Sequence, residues 1–201
     1  MSSNDMKKIV LLSRKSFLAK IQTHIAKIEI NKIKKNIIDI HYSSSVGDKD
    51  LSAKAWEQHG FGIFTNSLSK KLVSKEADVV VHSYKDLPVK NLNKTSFVCL
   101  KRDDPRDIIL IKRSSLNKKK LVIGTSSPRR KYYLKKLKEF LPYQELKSIQ
   151  IRGNVPSRLE KVLNSSKEDG LFIAKAAIDR ILKYGQKIDK KEYKNFILNF
   201  E

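Results

Sequence analysis

Leu121-Val122-Ile123-Gly124-Thr125-Ser126-Ser127-Pro128-Arg129-Arg130 is the stretch that decides how this chain folds. A short apolar run ends in glycine, a polar turn follows, and a proline opens a helical pattern that runs to about residue 141. That order is a β-strand feeding an α-helix. Ser127 suits the N-cap, and Pro128 suits the first helical position, where a missing N–H costs nothing. The same grammar recurs downstream: a strand over 146–151, a turn at Gly153 and Asn154, and a helix over 155–164. A third strand over 171–174 leads into a helix over 176–183, and a last helical segment covers 189–198.

Upstream the alternation is the same. A strand over 8–13 precedes an amphipathic helix from 16 to about 30, and a strand follows over 37–42. A polar loop over 43–60, rich in Ser, Gly and Asp, leads to a helix over 61–75 and a strand over 78–82. Loops of that length within a compact domain usually serve function or motion. Short strands over 97–101 and 107–112 bracket Arg102-Asp103-Asp104-Pro105, which reads as a crossover between domains at 1–102 and 103–201. Repeated strand–helix order predicts α/β layers, with helices covering largely parallel sheets.

Composition excludes several classes. In 201 residues, 40% are hydrophobic and 32% charged, which is globular rather than disordered. No apolar run approaches the roughly 20 residues that span a bilayer. The apolar stretch 9–12 is too short for a signal peptide, so a cytoplasmic protein is expected. The single cysteine, Cys99, rules out an intramolecular disulfide and is expected to sit buried in its strand. His24, His41 and His59 lack metal-ligand spacing, so no metal site is expected. Trp56 and the Phe61–Phe64 pair read as packing residues.

The net charge of +22 attracts polyanions, whether nucleic acid, acidic membrane surfaces or small molecules rich in carboxylates. Lysine pairs such as Lys70-Lys71, Lys135-Lys136 and Lys190-Lys191 read as a solvated surface on amphipathic helices. Nothing resembles a recognition helix or an aromatic-rich sheet, so nucleic acid is not an expected partner; nor is a membrane.

The arginines differ, because they cluster at strand ends, where ligands bind in α/β sheets. Arg129 and Arg130 stand at a helix start with the hydroxyls of Thr125, Ser126 and Ser127, a ready anion site. Helix capping alone accounts for Ser127 and Pro128 but not for the paired arginines. Arg152, Gly153, Asn154 and Arg158 repeat the logic after the next strand. Arg14 ends the first strand, with Ser16 as a cap. Asp86, beside Lys85 at the end of Val79-Val80-Val81-His82-Ser83-Tyr84-Lys85-Asp86-Leu87-Pro88, reads either as a tuned carboxylate in a cleft or as a turn cap ahead of Pro88.

These segments resemble the porphobilinogen deaminases (hydroxymethylbilane synthases). His82 to Pro88 is similar to their HSxKDxP, Gly124 to Arg130 to their GTSSxRR, and Arg152 to Leu159 to their RGNVxTRL. Arg102 to Asp107 is similar to their REDPRD, and Ser13 to Ser16 to their TRxS, all in the family's order from about Ile9 to Arg180. The resemblance implies two periplasmic-binding-protein-like α/β domains with a cleft between them, followed by a small third domain. It implies that porphobilinogen is the substrate and that Asp86 is the catalytic acid/base. Arg14, Arg129, Arg130, Arg152 and Arg158 would hold acetate and propionate groups, with Ser16, Lys85, Thr125, Ser126, Ser127 and Asn154 completing the wall.

The family carries a dipyrromethane cofactor on a cysteine of the third domain, and Cys99 does not match it. The chain is therefore expected to be truncated before that domain, without the segment that returns to the first domain, and inactive alone. A usually monomeric family leaves room for a separate chain bearing the missing domain, as in a split deaminase. The alternative is a non-catalytic module binding a carboxylate-rich ligand. Glu57 and Phe61 stand where the family's active-site loop carries lysines.

Overall fold

Leu11 and Leu12 are adjacent in sequence and therefore point to opposite faces of their strand, yet both are buried. That makes their strand a central one with both faces covered. The computed structural model describes residues 8–44, 65–87 and 95–200. The chain divides into two compact units, Met1–Arg102 and Asp103–Glu201. Glu57, Phe61, Trp56, His59 and most of the polar loop fall outside the described residues.

In the first unit β1 (Lys8–Arg14) leads to α1 (Phe17–Ile33) and β2 (Ile37–Ser43). Then come α2 (Asn66–Val73), β3 (Val79–Val80) and a 3-10 turn at Tyr84–Asp86. The sheet has the order β2-β1-β3, all parallel, with Leu11 opposite both Ile40 and Val79. Leu12, Leu68 and Ala77 form a core cluster flanked by Val10 and Val80. On the α1 side Phe17 and Ile21, four residues apart and so on one helical face, are buried, as are Thr23 and Ala26 further along.

The second unit runs β4 (Asp107–Ile111), a 3-10 turn (Arg113–Ser115), β5 (Lys120–Gly124) and α3 (Pro128–Leu137). It continues with β6 (Glu145–Ile149), α4 (Val155–Asn164), β7 (Gly170–Ala174), α5 (Lys175–Ile188) and α6 (Lys190–Phe200). Its sheet has the order β4-β7-β5-β6; β5 is parallel to both neighbours, and β4 runs antiparallel to β7. Leu121, Ile123, Leu134 and Phe172 form its core, with Ile109, Ile111, Leu137, Tyr143 and Leu146 packed around them.

A buried carboxylate ties this unit together. Asp169 accepts from Ser115 Oγ at 2.8 Å, Lys118 Nζ at 2.6 Å and Val122 N at 2.8 Å. Burial pulls its pKa up, but the bonds from Lys118, Val122 and Ser115 outweigh burial and hold it below the usual carboxylate range. The turn before β5 is thereby pinned to the start of β7.

The strand expected over 97–101 does not form among the described residues: Val98 is 91% exposed, and Cys99 is exposed rather than buried. β-branched and aromatic residues favour a strand only where a neighbouring strand and a core receive them, and this segment has neither. Phe97 instead tilts against the exposed ring of Tyr84, 5.8 Å away. The strand expected over 78–82 shortens to Val79–Val80, although Asp78 N and Val81 N still donate to Val10 O at 3.0 Å and Leu12 O at 2.9 Å, and Asp78 Oδ2 accepts from Val10 N at 2.9 Å.

Candidate active site

Each unit gathers polar side chains at the carboxyl ends of its strands. In the first, β1 ends at Arg14, and the neighbouring β3 runs on into the 3-10 turn that carries Asp86. Asp86 Oδ2 lies 3.9 Å from Arg14 Nη1, and its Oδ1 lies 3.4 Å from Lys85 Nζ. The Asp86 side chain is only 18% exposed, whereas Lys85 is 82% exposed. The result is a half-sheltered carboxylate with a fixed cation on one side and a swinging one on the other. Asp86 N donates to Ser83 O at 2.9 Å, and Ser83 Oγ donates to Gln22 Oε1 at 3.1 Å, so the turn is fastened to α1. Ser16 stands at the N-cap of α1; its carbonyl accepts from Lys20 N at 3.0 Å, and its side chain makes no capping bond.

His82 belongs to this cluster too, although the sequence reading gave it no role. Its Nε2 is buried without a hydrogen-bond partner. Burial pushes its pKa down, the Asp86 carboxylate opposes that, and the Arg14 charge adds to the lowering. The net direction is toward a neutral imidazole.

In the second unit the ends of β5 and β6 lie side by side. Ser126 Oγ donates to Ile151 O at 2.5 Å and binds the two strand ends together. Thr125 is buried, and its hydroxyl accepts from Ser127 N at 3.3 Å. Ser127 caps α3, accepting from Arg130 N at 3.4 Å. Asn154 caps α4 with a 2.9 Å bond from Ser157 N. Between them Gly153 has φ +121°, and a Cβ there would lie 2.5 Å from Ser157 Oγ, so both backbone and space require glycine.

The arginines crowd this rim. Arg130 Nη2 donates to Asp107 Oδ1 at 2.9 Å, and Arg129 Nη1 sits 2.6 Å from Asp107 Oδ2. Burial raises the Asp107 pKa, but the bonds from Arg130 and Arg129 win and hold it low. Arg158 is mostly buried, which lowers its pKa, and the nearby charge of Arg130 lowers it further. An arginine still keeps its proton there. The Nε atoms of Arg130 and Arg158 are buried and have no hydrogen-bond partner. Buried polar atoms are normally satisfied, so each orphaned guanidinium N–H is a donor with capacity for an acceptor such as a carboxylate or a water. Lys161 Nζ donates to Arg152 O at 3.1 Å, holding the turn after β6.

So Arg14, Lys85 and Asp86 come together in the first unit, with Ser16 two residues beyond Arg14. Thr125, Ser126, Ser127, Arg129, Arg130, Arg152, Asn154 and Arg158 share the rim of the second. Asp107 was missed because its partner Arg130 lies 23 residues away and no local pattern announces the pair. The available signals were an acidic residue opening an otherwise apolar strand and its place at the end of the Arg102–Asp107 segment. Among the described residues no cluster of three or more His, Cys, Asp or Glu side chains suits a metal, and no helix is long and apolar enough to cross a membrane.

The family pattern described as "Porphobilinogen deaminase, dipyromethane cofactor binding domain" matches residues 9–198. The porphobilinogen deaminase of Ruminiclostridium cellulolyticum is 36% identical over 178 residues, 88% of this chain and 59% of that protein. A probable porphobilinogen deaminase of Picrophilus torridus is 36% identical over 193 residues, 94% of this chain and 62% of its own length. That of a Synechococcus is 36% identical over 188 residues, covering 90% and 57%. The chain thus spans about three-fifths of the length of these relatives. A match across nearly the whole chain, on an α/β scaffold whose strand ends carry these arginines, makes it a member of the porphobilinogen deaminase family.

Proposed function

We propose that this chain binds porphobilinogen and carries the acid/base residue of a hydroxymethylbilane synthase, a transferase that joins four porphobilinogen units and releases ammonia in tetrapyrrole synthesis. The observation that carries the reading is the pair of buried, unsatisfied guanidinium nitrogens on Arg130 and Arg158. Each pyrrole unit brings an acetate and a propionate, and a forked guanidinium matches a carboxylate with two parallel bonds. Arg129 and Arg152 extend that capacity in the same unit, and Arg14 offers a further guanidinium in the first.

The same arginines fit a dipyrromethane cofactor, whose carboxylates have the chemistry the orphaned nitrogens call for. When bound, it supplies the pyrrole end to which the first substrate unit is joined. Arg129, Arg130, Arg152 and Arg158 would hold its carboxylates, with the Ser126 and Asn154 turns bracing the backbone behind them.

Asp86 handles the charge that the reaction creates. Breaking the aminomethyl C–N bond releases the amine as ammonia once it has gained a proton, and leaves a positive methylene carbon on the pyrrole ring. The Asp86 carboxylate, shielded from bulk water, stabilises that cation more than an exposed carboxylate would. The methylene carbon then bonds to the α-carbon of the next pyrrole, which gives up its proton. One C–N bond is exchanged for one C–C bond, and Asp86 is the group placed to pass that proton. Arg14 lies against the carboxylate on its sheltered side.

The test is ammonia release and pyrrole mass gain on incubation with porphobilinogen, for the wild type and Asp86→Asn. Asp86→Asn is expected to keep porphobilinogen affinity within about threefold while turnover falls by about 100-fold or more. A second reading, a module that binds the same ligand without chemistry, draws on the preponderance of binding over catalytic groups among the described residues. It predicts porphobilinogen binding with no ammonia release from either protein. Equal turnover by wild type and Asp86→Asn would remove Asp86 from the chemistry.

A further inference from the structure

We infer that Asp107 is the positioning residue of the arginine rim: its carboxylate aims Arg129 and Arg130 at the carboxylates of the ligand. This rests on the proposed binding of a carboxylate-bearing pyrrole. Asp107 opens β4 and pairs with Ala174, the last residue of β7, so it stands at the same edge of the sheet as the ends of β5 and β6. Its side chain is 11% exposed, and each oxygen takes a different arginine, Arg130 at 2.9 Å and Arg129 at 2.6 Å. Arg129 is 58% exposed, and its guanidinium also lies over the Tyr133 ring at 5.9 Å. Without the carboxylate that long side chain would sample many rotamers. Fixing a binding group before the ligand arrives spares the ligand that ordering cost.

The charge balance favours this role over simple neutralisation. One carboxylate cannot cancel two arginines, and Arg158 adds a third positive charge close enough to Arg130 to be felt. The rim stays positive with Asp107 in place. Moreover, Asp107 engages Arg130 through Nη2 and leaves its Nε buried and unbonded. The guanidinium is held at one nitrogen while its Nε keeps an unused donor.

The two roles predict opposite signs. A bystander negative charge near an anion site weakens binding, so removing it should tighten porphobilinogen. A positioning carboxylate does the reverse. The experiment is calorimetric titration of porphobilinogen into the full chain as wild type, Asp107→Asn and Asp169→Asn, with the Arg130 Nε–H signal followed by NMR in ligand-free protein. Asp107→Asn is expected to weaken binding about tenfold, the size of loss a charge-assisted bond carries. Its Arg130 Nε–H signal, slow to exchange in the wild type, should move to fast exchange.

Asp169→Asn disturbs the same unit away from the rim, so it should lower the unfolding midpoint and leave affinity and the Arg130 signal unchanged. Equal or tighter binding by Asp107→Asn, or an equal loss in Asp169→Asn, would overturn the inference. Should Asp107→Asn fail to fold, Asp107→Glu keeps the charge, shifts it by one methylene, and is expected to show the same loss. If the wild type binds no porphobilinogen the proposed function falls, whereas the Arg130 signal still judges Asp107 by itself.

Discussion

His82 and Asp86 lie four residues apart, a buried imidazole beside a half-sheltered carboxylate. The imidazole is buried and driven toward its neutral form, although the neighbouring carboxylate favours the cation. Its folded pKa lies below the ordinary value of 6.5, so the unfolded chain binds the extra proton first as pH falls. Stability of the first unit should therefore be full above that value and decline below it. His82→Gln should flatten this dependence, as read by urea unfolding at several pH values between 5 and 8. An unchanged slope would mean that another group sets it. Asp107 and Arg158 show the same principle with charge: each is costly to bury alone, and each is placed where an opposite charge, present or incoming, offsets that cost.

The elements that position the site are short, and their turns matter more than their lengths. Gly153 is the clearest case, because α4 can begin beside the end of β6 only with a backbone that side chains resist. Gly153→Ala should cost about 1–3 kcal/mol through the strained φ and the clash with Ser157, lowering the unfolding midpoint. It should also weaken ligand binding by displacing Arg152 and Arg158. Away from the rim, Asp169→Asn puts an NH2 group where Val122 N–H or its neighbours need an acceptor. A loss of about 1–3 kcal/mol is expected, measurable by denaturant unfolding. No loss would mean that the clasp is dispensable.

Strand–helix order was legible in the sequence because Gly124, Ser127 and Pro128, and again Gly153 and Asn154, mark the joints locally. Segment 97–101 misled for the converse reason: Phe97 and Val98 have strand-like chemistry, but a strand exists only with a partner. The arginines could be read from spacing and resemblance. Asp107 and His82 stand inside the matching segments, but their partners could not be read there, since those are brought near by the fold.

At the scale of the whole molecule, the excess of 43 Lys and Arg over 21 Asp and Glu resolves into two populations. Exposed lysines such as Lys135 and Lys136 on α3 face solvent, where salt screens them over about 8 Å at physiological ionic strength. Arg130 and Arg158 are sheltered and screened far less. The family relationship explains why the sheltered population exists, and the lysines need no partner to explain them. The measurement that tests this most directly is porphobilinogen titration of the full chain at about 0.05 and 0.5 M salt, for wild type and Arg158→Gln. The account predicts binding in the wild type that survives high salt with a loss of less than about tenfold, and a drop of about tenfold or more in Arg158→Gln. Binding that vanishes at high salt, or that ignores the loss of Arg158, would place the ligand on the lysine surface and contradict it.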